Sequence, residues 1–353
     1  MARNIRKKRV YTKKTIVETK ELNLIEKNEA FNLFIQSKIA EGLRPRTIDD
    51  YQKTWGYVND WLDENGFNIT YVHEYETDMF RAYIKYITEE KKRYEGHTYL
   101  NPDNAQYGIG LKPATVNGRI RGLKSAFNWF LQEGYVIKNP MNNVKLQKDD
   151  IDKLPSFNKS QIKRLLSVCD QRSYVGFRDY VFQILLLDSG MRINEALSLR
   201  KQDLDVKTRI IELDAKLNKN RRARTIPLSN ETIKLLSELI LENNIHFPQM
   251  DYIFLSVYGN HLRDTQANKR LKHCGVLSGV DQEVKVSAHV YRHTFATNYI
   301  LNGGDPYTLM RILGHSNISM VRRYIQMNNK DIKEAHAKYS PIKMLKGVKR
   351  KHN

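Results

Sequence analysis

Apolar side chains recur at three- and four-residue steps through most of the first half of the chain, the signature of helices with one buried face. Phe31, Phe34 and Ile35 share a face in a stretch that starts near Ala30 and ends at Gly42 and Pro45. Thr47 is placed to cap a second helix, in which Ile48, Tyr51, Trp55, Val58 and Leu62 point one way until Asn65-Gly66 stops it. Thr77 begins a third, with Phe80, Tyr83, Ile84 and Ile87 inward. Charges, an Asn-Pro pair and several glycines break the pattern over residues 89–112, a long loop or insertion. A fourth helix follows Pro113, with Val116, Ile120, Leu123, Phe127 and Phe130 inward and Arg119, Arg121 and Lys124 outward. Such helices predict a compact α-helical domain ending near Val144, and the polar Lys145–Pro155 stretch reads as a linker.

The second half mixes periods. Asn158 caps a helix running to Cys169, Phe177 to Leu187 forms a largely buried helix, Gly190 breaks it and Arg192 opens the next. In Arg209–Leu213 and Thr225–Leu228 β-branched residues flank a polar turn, which predicts a hairpin. Tyr252–Leu255 is a short strand-like stretch, and helices otherwise dominate to about Ala337. The expected class is mainly α with a small β-sheet or hairpin (α+β). The expected plan is a basic arm over residues 1–27, a helical domain over 28–146, a linker over 147–157, a second domain over 158–338 and a basic tail over 339–353.

Composition narrows the function classes. With 353 residues, 41% apolar and 28% charged, the chain can build two cores, which argues against wholesale disorder. The longest apolar run, Val181–Leu187, spans seven residues and contains Gln183, whereas a membrane span needs roughly 18 or more. The first residues are charged where a secretory signal is apolar, and Cys169 and Cys274 form neither a metal-ligand spacing nor a disulfide framework. A cytoplasmic protein with no membrane association is expected. Lys and Arg number 59 against 39 acids, a net charge of +20, of which residues 1–14 and 343–353 carry twelve. Such a charge calls for a polyanionic partner, and counterion release makes nucleic acid the default. The hairpin tip adds to this, because Lys216, Lys219, Arg221, Arg222 and Arg224 fall within nine residues and repel one another unless an anion approaches.

Three stretches carry candidate chemistry: LLLDSGMRINEALSLR at 185–200, SAHVYRHTFAT at 287–297 and LMRILGHSNISMVRRYIQM at 309–327. Each has a bland explanation alone. An Arg after Gly at a helix start, such as Arg192, is ordinarily exposed. His289 and His293 are spaced like a zinc pair, but Val290 stands where the metalloprotease helix has Glu, and no third ligand is signalled. Gly314-His315 is compatible with an ordinary helix stop, and Tyr324 is one of 20 tyrosines.

In order and spacing the three stretches resemble the tyrosine recombinase, or phage-type integrase, family. The family pattern is an Arg in Gly-x-Arg-x-x-Glu, a Lys on a β-hairpin, His-x-x-Arg, then Leu-Gly-His with a Tyr nine residues after the His. Here stand Gly190, Arg192 and Glu195; His289 and Arg292; Leu313, Gly314 and His315; and Tyr324, nine residues past His315. The stretches TIDDYQKTWGYVNDWL and PATVNGRIRGLKSAFNWFLQEGYVIKNP look like the family's core-binding domain, and residues from about 156 on look like its catalytic domain. The 89–112 insertion is longer than the simplest members need. Counting back from Thr225-Ile226-Pro227-Leu228 without a gap selects Lys219 as the family lysine, whereas a three-residue insertion selects Lys216; Lys219 is preferred.

The resemblance implies a mechanism. Tyr324 attacks the scissile phosphate and forms a covalent 3′-phosphotyrosyl link, freeing a 5′-hydroxyl without ATP. Arg192 and Arg292 clamp the nonbridging oxygens with planar forks. Lys219 protonates the leaving oxygen, His289 assists proton removal from Tyr324, and His315 donates a hydrogen bond to the phosphate. Glu195 orients its neighbours, and His293 is read as structural. No metal or other cofactor is expected. Arg119, Arg121, Lys124, Arg221, Arg222 and Arg224 are expected to meet DNA phosphates, which set position and not sequence. The implied partners are double-stranded DNA with specific recombination sites and further copies of the chain. These form a homo-tetramer in the synaptic complex, with a C-terminal segment containing Tyr339, Leu345 and Val348 available for exchange. The implied task is site-specific recombination that integrates or excises a mobile element. A Xer-like resolvase of replicon dimers, a type IB topoisomerase and a noncatalytic DNA-binding accessory protein are the alternatives.

Overall fold

A computed structural model describes residues 23–93, 108–148, 155–213, 223–324, 336, 337 and 340. Residues 1–22 of the basic arm, 94–107 of the insertion, the hairpin-tip residues Lys216, Lys219, Arg221 and Arg222, and the tail from 341 on lie outside the described residues. The chain divides into two units, Met1–Asp150 and Ile151–Asn353.

In the first unit the apolar steps become four helices: α1 (Lys27–Ala40), α2 (Pro45–Glu64), α3 (Thr77–Lys85) and α4 (Pro113–Glu133). Pro45 occupies the first position of α2, where a missing N–H costs nothing. The helix therefore starts ahead of Thr47, which lies in its first turn and does not cap it as the sequence suggested. At the other end Asn65 and Gly66, the latter at φ +79°, stop α2 where expected. α3 runs on into one wider turn, Tyr86–Glu90. The expected inward positions are buried, except that Tyr51 and Ile84 are only half-buried.

This core is aromatic. Phe31 stacks on Trp55 with ring centroids 4.6 Å apart. Phe127, 0% exposed, meets Tyr75, Phe80 and Phe130 edge-on at 5.3, 5.2 and 5.3 Å. Gln147, beyond α4, is tied back to Asn117 by two hydrogen bonds of 2.8 and 3.0 Å.

The second unit begins with α5 (Lys159–Ser167), where Asn158 and Gln161 exchange side-chain and backbone hydrogen bonds in a capping box. α6 (Tyr174–Ser189) ends at Gly190, and α7 (Ile193–Leu197) follows at once. An antiparallel sheet then forms in the order β1 (Leu204–Asp205), β2 (Ile210–Leu213), β3 (Arg224–Pro227). Its register sets Ile211 opposite Ile226 and Leu213 opposite Arg224. The two-residue β1 is too short for alternation to announce it. Tyr252–Leu255 is no strand of this sheet; Tyr252 and Leu255 make only single bridges, to Arg200 and His261. The remaining helices are α8 (Asn230–His246), α9 (Asp264–Leu277), α10 (Ala288–Leu301) and α11 (Pro306–Leu313).

α6 packs against both α8 and α10, and Val181, Leu185, Ile211, Leu236, Phe254 and Tyr291 meet in the core. Two polar ties fix α10: Tyr291 donates its hydroxyl hydrogen to Gln183 Oε1 at 2.5 Å, and Thr294 Oγ1 accepts the Phe157 N–H at 2.8 Å. Among the described residues no helix is long and apolar enough to cross a membrane.

All three tryptophans, Trp55, Trp61 and Trp129, lie in the first unit, so their fluorescence reports its unfolding. Phe127→Ala is expected to lower its stability in urea by about 3–5 kcal/mol. A loss below about 1 kcal/mol would contradict the packing described.

Candidate active site

α6 ends at Gly190 because the chain turns there through φ +60°, and a Cβ would run into the Phe295 ring and the Leu313 side chain. The turn presents the Gly190 carbonyl to Arg292, whose Nη1 donates to it at 2.7 Å. Two residues on, Arg192 caps α7, and Glu195 closes the cap by accepting the Arg192 N–H at 2.9 Å and its Nη1 at 2.7 Å. The other side of Glu195 meets Arg224 of β3, with Nη2 to Oε2 at 2.6 Å and Nη1 to Oε1 at 3.3 Å. Glu195 is 2% exposed and the Arg224 side chain 7%.

The turn after α11 completes the cluster. Leu313 O accepts from Arg292 Nη2 at 2.7 Å and from Arg224 Nη1 at 3.1 Å. Gly314, at φ +64°, lies so close to Arg224 Nη1 that a Cβ would collide with it. His315 Nε2 sits 2.9 Å from Arg292 Nη2. The three motif stretches, far apart in sequence, thus meet through one carboxylate and two backbone carbonyls.

Three guanidiniums face one buried carboxylate, so the cluster carries an excess of positive charge. Burial alone would raise the Glu195 pKa, but the Arg224 charge and the Arg192 hydrogen bonds outweigh it and hold the carboxyl below its usual value. Burial, then repulsion from Arg192, presses Arg292 down to about 9, which leaves it charged at neutral pH. His315 is pushed down to about 4 by burial and by the Arg292, Arg192 and Arg224 charges. A guanidinium can only donate, so the Nε2 of this neutral imidazole must accept and the ring proton is assigned to Nδ1. Among the described residues nothing accepts from Nδ1, which leaves His315 a buried donor.

Tyr324 is 7% exposed, at the end of the short turn Arg322–Tyr324, packed with Ala296, Leu309, Leu313 and Val321. Its hydroxyl lies 2.7 Å from Nδ1 of His293, the residue after Arg292 on α10. The sequence resemblance assigns this neighbourhood to His289 and leaves His293 structural. In the structure His289 is exposed one turn earlier, its ring centroid 6.4 Å from that of His293. Both imidazoles fall on one helix face at i and i+4, so spacing alone could not rank them.

The model of the family described as "Phage integrase family" matches residues 155–331, half of the chain and the whole of this cluster. The chain belongs to the phage integrase family. It is a tyrosine recombinase, an enzyme that cuts and rejoins DNA strands in site-specific recombination, and DNA is its partner. Curated relatives include the tyrosine recombinase XerD of Listeria monocytogenes, 25% identical over 79% of this chain and 95% of that protein. XerC of Staphylococcus carnosus is 25% identical over 79% of this chain and 93% of its own length. Among solved structures, the Tn1549 transposon integrase in complex with transposon right-end DNA superposes with a TM-score of 0.66 at 18% identity, covering 89% of this chain and 99% of that one. The XerH site-specific recombinase bound to palindromic difH substrate gives 0.64 at 19%, covering 87% and 84%. At these identities the structural likeness establishes the fold.

The cations that the sequence assigned to DNA phosphates fare differently in this recombinase. Arg224 is no surface contact: it is buried in the cluster, because Glu195 and Leu313 O satisfy its fork. Arg119 is half-buried, lying 4.3 Å over the Tyr57 ring and donating to the Tyr83 hydroxyl at 2.6 Å. Arg121 is exposed and Lys124 half-buried. Lys219, its alternative Lys216, Arg221 and Arg222 lie outside the described residues. Among the described residues no group of three or more His, Cys, Asp or Glu side chains is placed to hold a metal ion.

The depressed His315 pKa sets a pH dependence of stability. Unfolded, this His takes up a proton below about 6.5; folded, it stays neutral to about 4, so acid favours the unfolded state across that window. The melting temperature of the wild type, measured against His315→Asn, is expected to fall as pH drops from about 6.5 to about 4 and to level off below. A difference that stays flat, or grows in favour of the wild type, would contradict the buried neutral imidazole.

Proposed function

We propose that Tyr324 is the nucleophile of strand exchange and that Arg192 and Arg292 bind the scissile phosphate. The observation that carries this reading is the convergence of the motif residues. Arg292 contacts His315 and shares the Leu313 carbonyl with Arg224, Arg224 shares Glu195 with Arg192, and Tyr324 rests on the histidine beside Arg292. Attack by the Tyr324 oxygen forms the 3′-phosphotyrosyl bond while the bond to the 5′-oxygen breaks, so bond energy is stored and no ATP is needed. The two forks meet charge gathering on the nonbridging oxygens. His315, beside Arg292, donates a ring hydrogen to the phosphate. His293 accepts the Tyr324 proton in this arrangement, and His289 is the second imidazole on that face. Lys219, with Lys216 as the other register, protonates the departing 5′-oxygen. The guanidiniums supply the positive charge, so no metal is required.

The first unit serves as the core-binding domain and the second as the catalytic domain, with Arg121, Lys124, Arg221 and Arg222 on DNA phosphates. The partner DNA carries specific sites, four copies of the chain assemble on it in the cytoplasm, and the C-terminal segment passes between them. Integration and excision of a mobile element is the preferred task. The likeness to a transposon integrase supports it, as do the long 89–112 insertion and the basic arm. The XerD and XerC relatives favour resolution of replicon dimers as the second reading.

Covalent trapping in EDTA tests this, with nicked duplexes tiled across the DNA that flanks the gene. The wild type is expected to form an adduct that survives denaturant on one or a few tiles, and Tyr324→Phe none. An adduct that persists in Tyr324→Phe would overturn the nucleophile. A second set of duplexes tiled across chromosomal DNA distant from the gene is run beside them, and adducts confined to that set would favour the resolvase reading.

A further inference from the structure

The chemistry above leaves Arg224 without a task, although it is one of the most constrained cations in the second unit. Its fork is shared among both Glu195 oxygens and the Leu313 carbonyl, and its Nη1 fills the space that a Cβ at Gly314 would need. A buried guanidinium is costly unless fully paired, and among the described residues its Nε has no partner. A strand needing only stability is seated at less cost by an apolar side chain.

What Arg224 does join is informative. It is the first residue of β3 and stands opposite Leu213, so the pair closes a tip of ten residues. Both candidate lysines lie in that tip, Lys219 five positions before Arg224 and Lys216 eight. The anchor points, Glu195 and Leu313, are the same groups that hold Arg192 and Arg292.

We propose that Arg224 is a positioning residue for protonation of the leaving group: by tying β3 to Glu195 and to the Leu313 carbonyl, it fixes the base of the lysine-bearing tip against the phosphate-binding guanidiniums. The proposal rests on the lysine reading given under Proposed function. In the step it serves, the lysine ammonium gives its proton to the 5′-oxygen as the phosphorus–oxygen bond breaks and the Tyr324 oxygen bonds to phosphorus. An Arg224 that acted only through Glu195 on Arg192 would instead weaken phosphate binding, whatever the leaving group.

The two roles separate when the leaving atom is changed. A duplex that the wild type cleaves is prepared with either oxygen or sulfur bridging to the 5′-carbon at the scissile phosphate, because a thiolate departs without needing a proton. Single-turnover cleavage is measured for the wild type, Arg224→Ala, Arg224→Lys, Lys219→Ala and Lys216→Ala. Arg224→Ala is expected to be slower on oxygen by about 10²-fold and to return to within about tenfold of the wild type on sulfur. Arg224→Lys keeps the charge without the fork, is expected to fall between, and serves as the test should Arg224→Ala fail to fold. An equal loss on both substrates, or no loss on oxygen, overturns the proposal. Sulfur recovery in a lysine variant without recovery in the Arg224 variants removes Arg224's role alone. If neither lysine variant recovers, the lysine reading falls and takes this proposal with it.

Discussion

Glu195, 2% exposed in a five-residue helix, accepts hydrogen bonds from two guanidiniums that come from different parts of the chain, Arg192 beside it and Arg224 on β3. Without that carboxylate two buried or half-buried cations would face each other with nothing between them. With it, their forks are held in place. The Leu313 carbonyl extends the arrangement by taking one bond each from Arg224 and Arg292, which brings the turn that carries His315 into the same cluster. Most partners lie at the ends of elements, namely the stop of α6, the start of α7, the start of β3 and the stop of α11, while Arg292 reaches in from the second turn of α10. The helices and sheet provide the rigid frame, and the chemistry sits where backbone carbonyls are left over from helix ends.

The cluster is short of negative charge. One carboxylate serves three guanidiniums, and burial, with repulsion among these charges added to it, depresses Arg292 and holds His315 neutral. In the function proposed above, an entering phosphate would supply the missing charge and the developing transition state more, so cations fixed in advance would gain more from the transition state than from the resting site. Low local polarity strengthens these interactions once water is excluded. His315, held neutral, adds no further positive charge to a site already rich in it.

Much of this was readable in the sequence, for physical reasons. The four helices of the first unit bury one face each, so their apolar steps map onto the core at Ile48, Trp55, Val58 and Leu62 or at Val116, Ile120, Leu123, Phe127 and Phe130. The three motif stretches were legible as stretches, and the structure brings Arg192, Arg292 and His315 of them together around Glu195 and the Gly190 and Leu313 carbonyls. Local detail was less so. Pro45 and Thr47 both begin helices well, and only the fold chooses between them. Arg224 read as surface charge because its neighbours Arg221 and Arg222 set the tone, whereas pairing with Glu195, 29 residues away, is invisible to composition. The sequence does not rank His293 above His289, because a shared helix face says nothing of which turn the Tyr324 hydroxyl reaches.

The central claim is that the Glu195–Arg224 pair holds the site together as a coupled unit. A double-mutant cycle on urea unfolding of the second unit, followed by circular dichroism, measures it with Glu195→Gln, Arg224→Gln and the double variant. Coupling of about 2–3 kcal/mol is predicted, with the double variant losing much less than the two singles together. Single losses that add to within about 0.5 kcal/mol would show that the two residues act independently and would contradict the account.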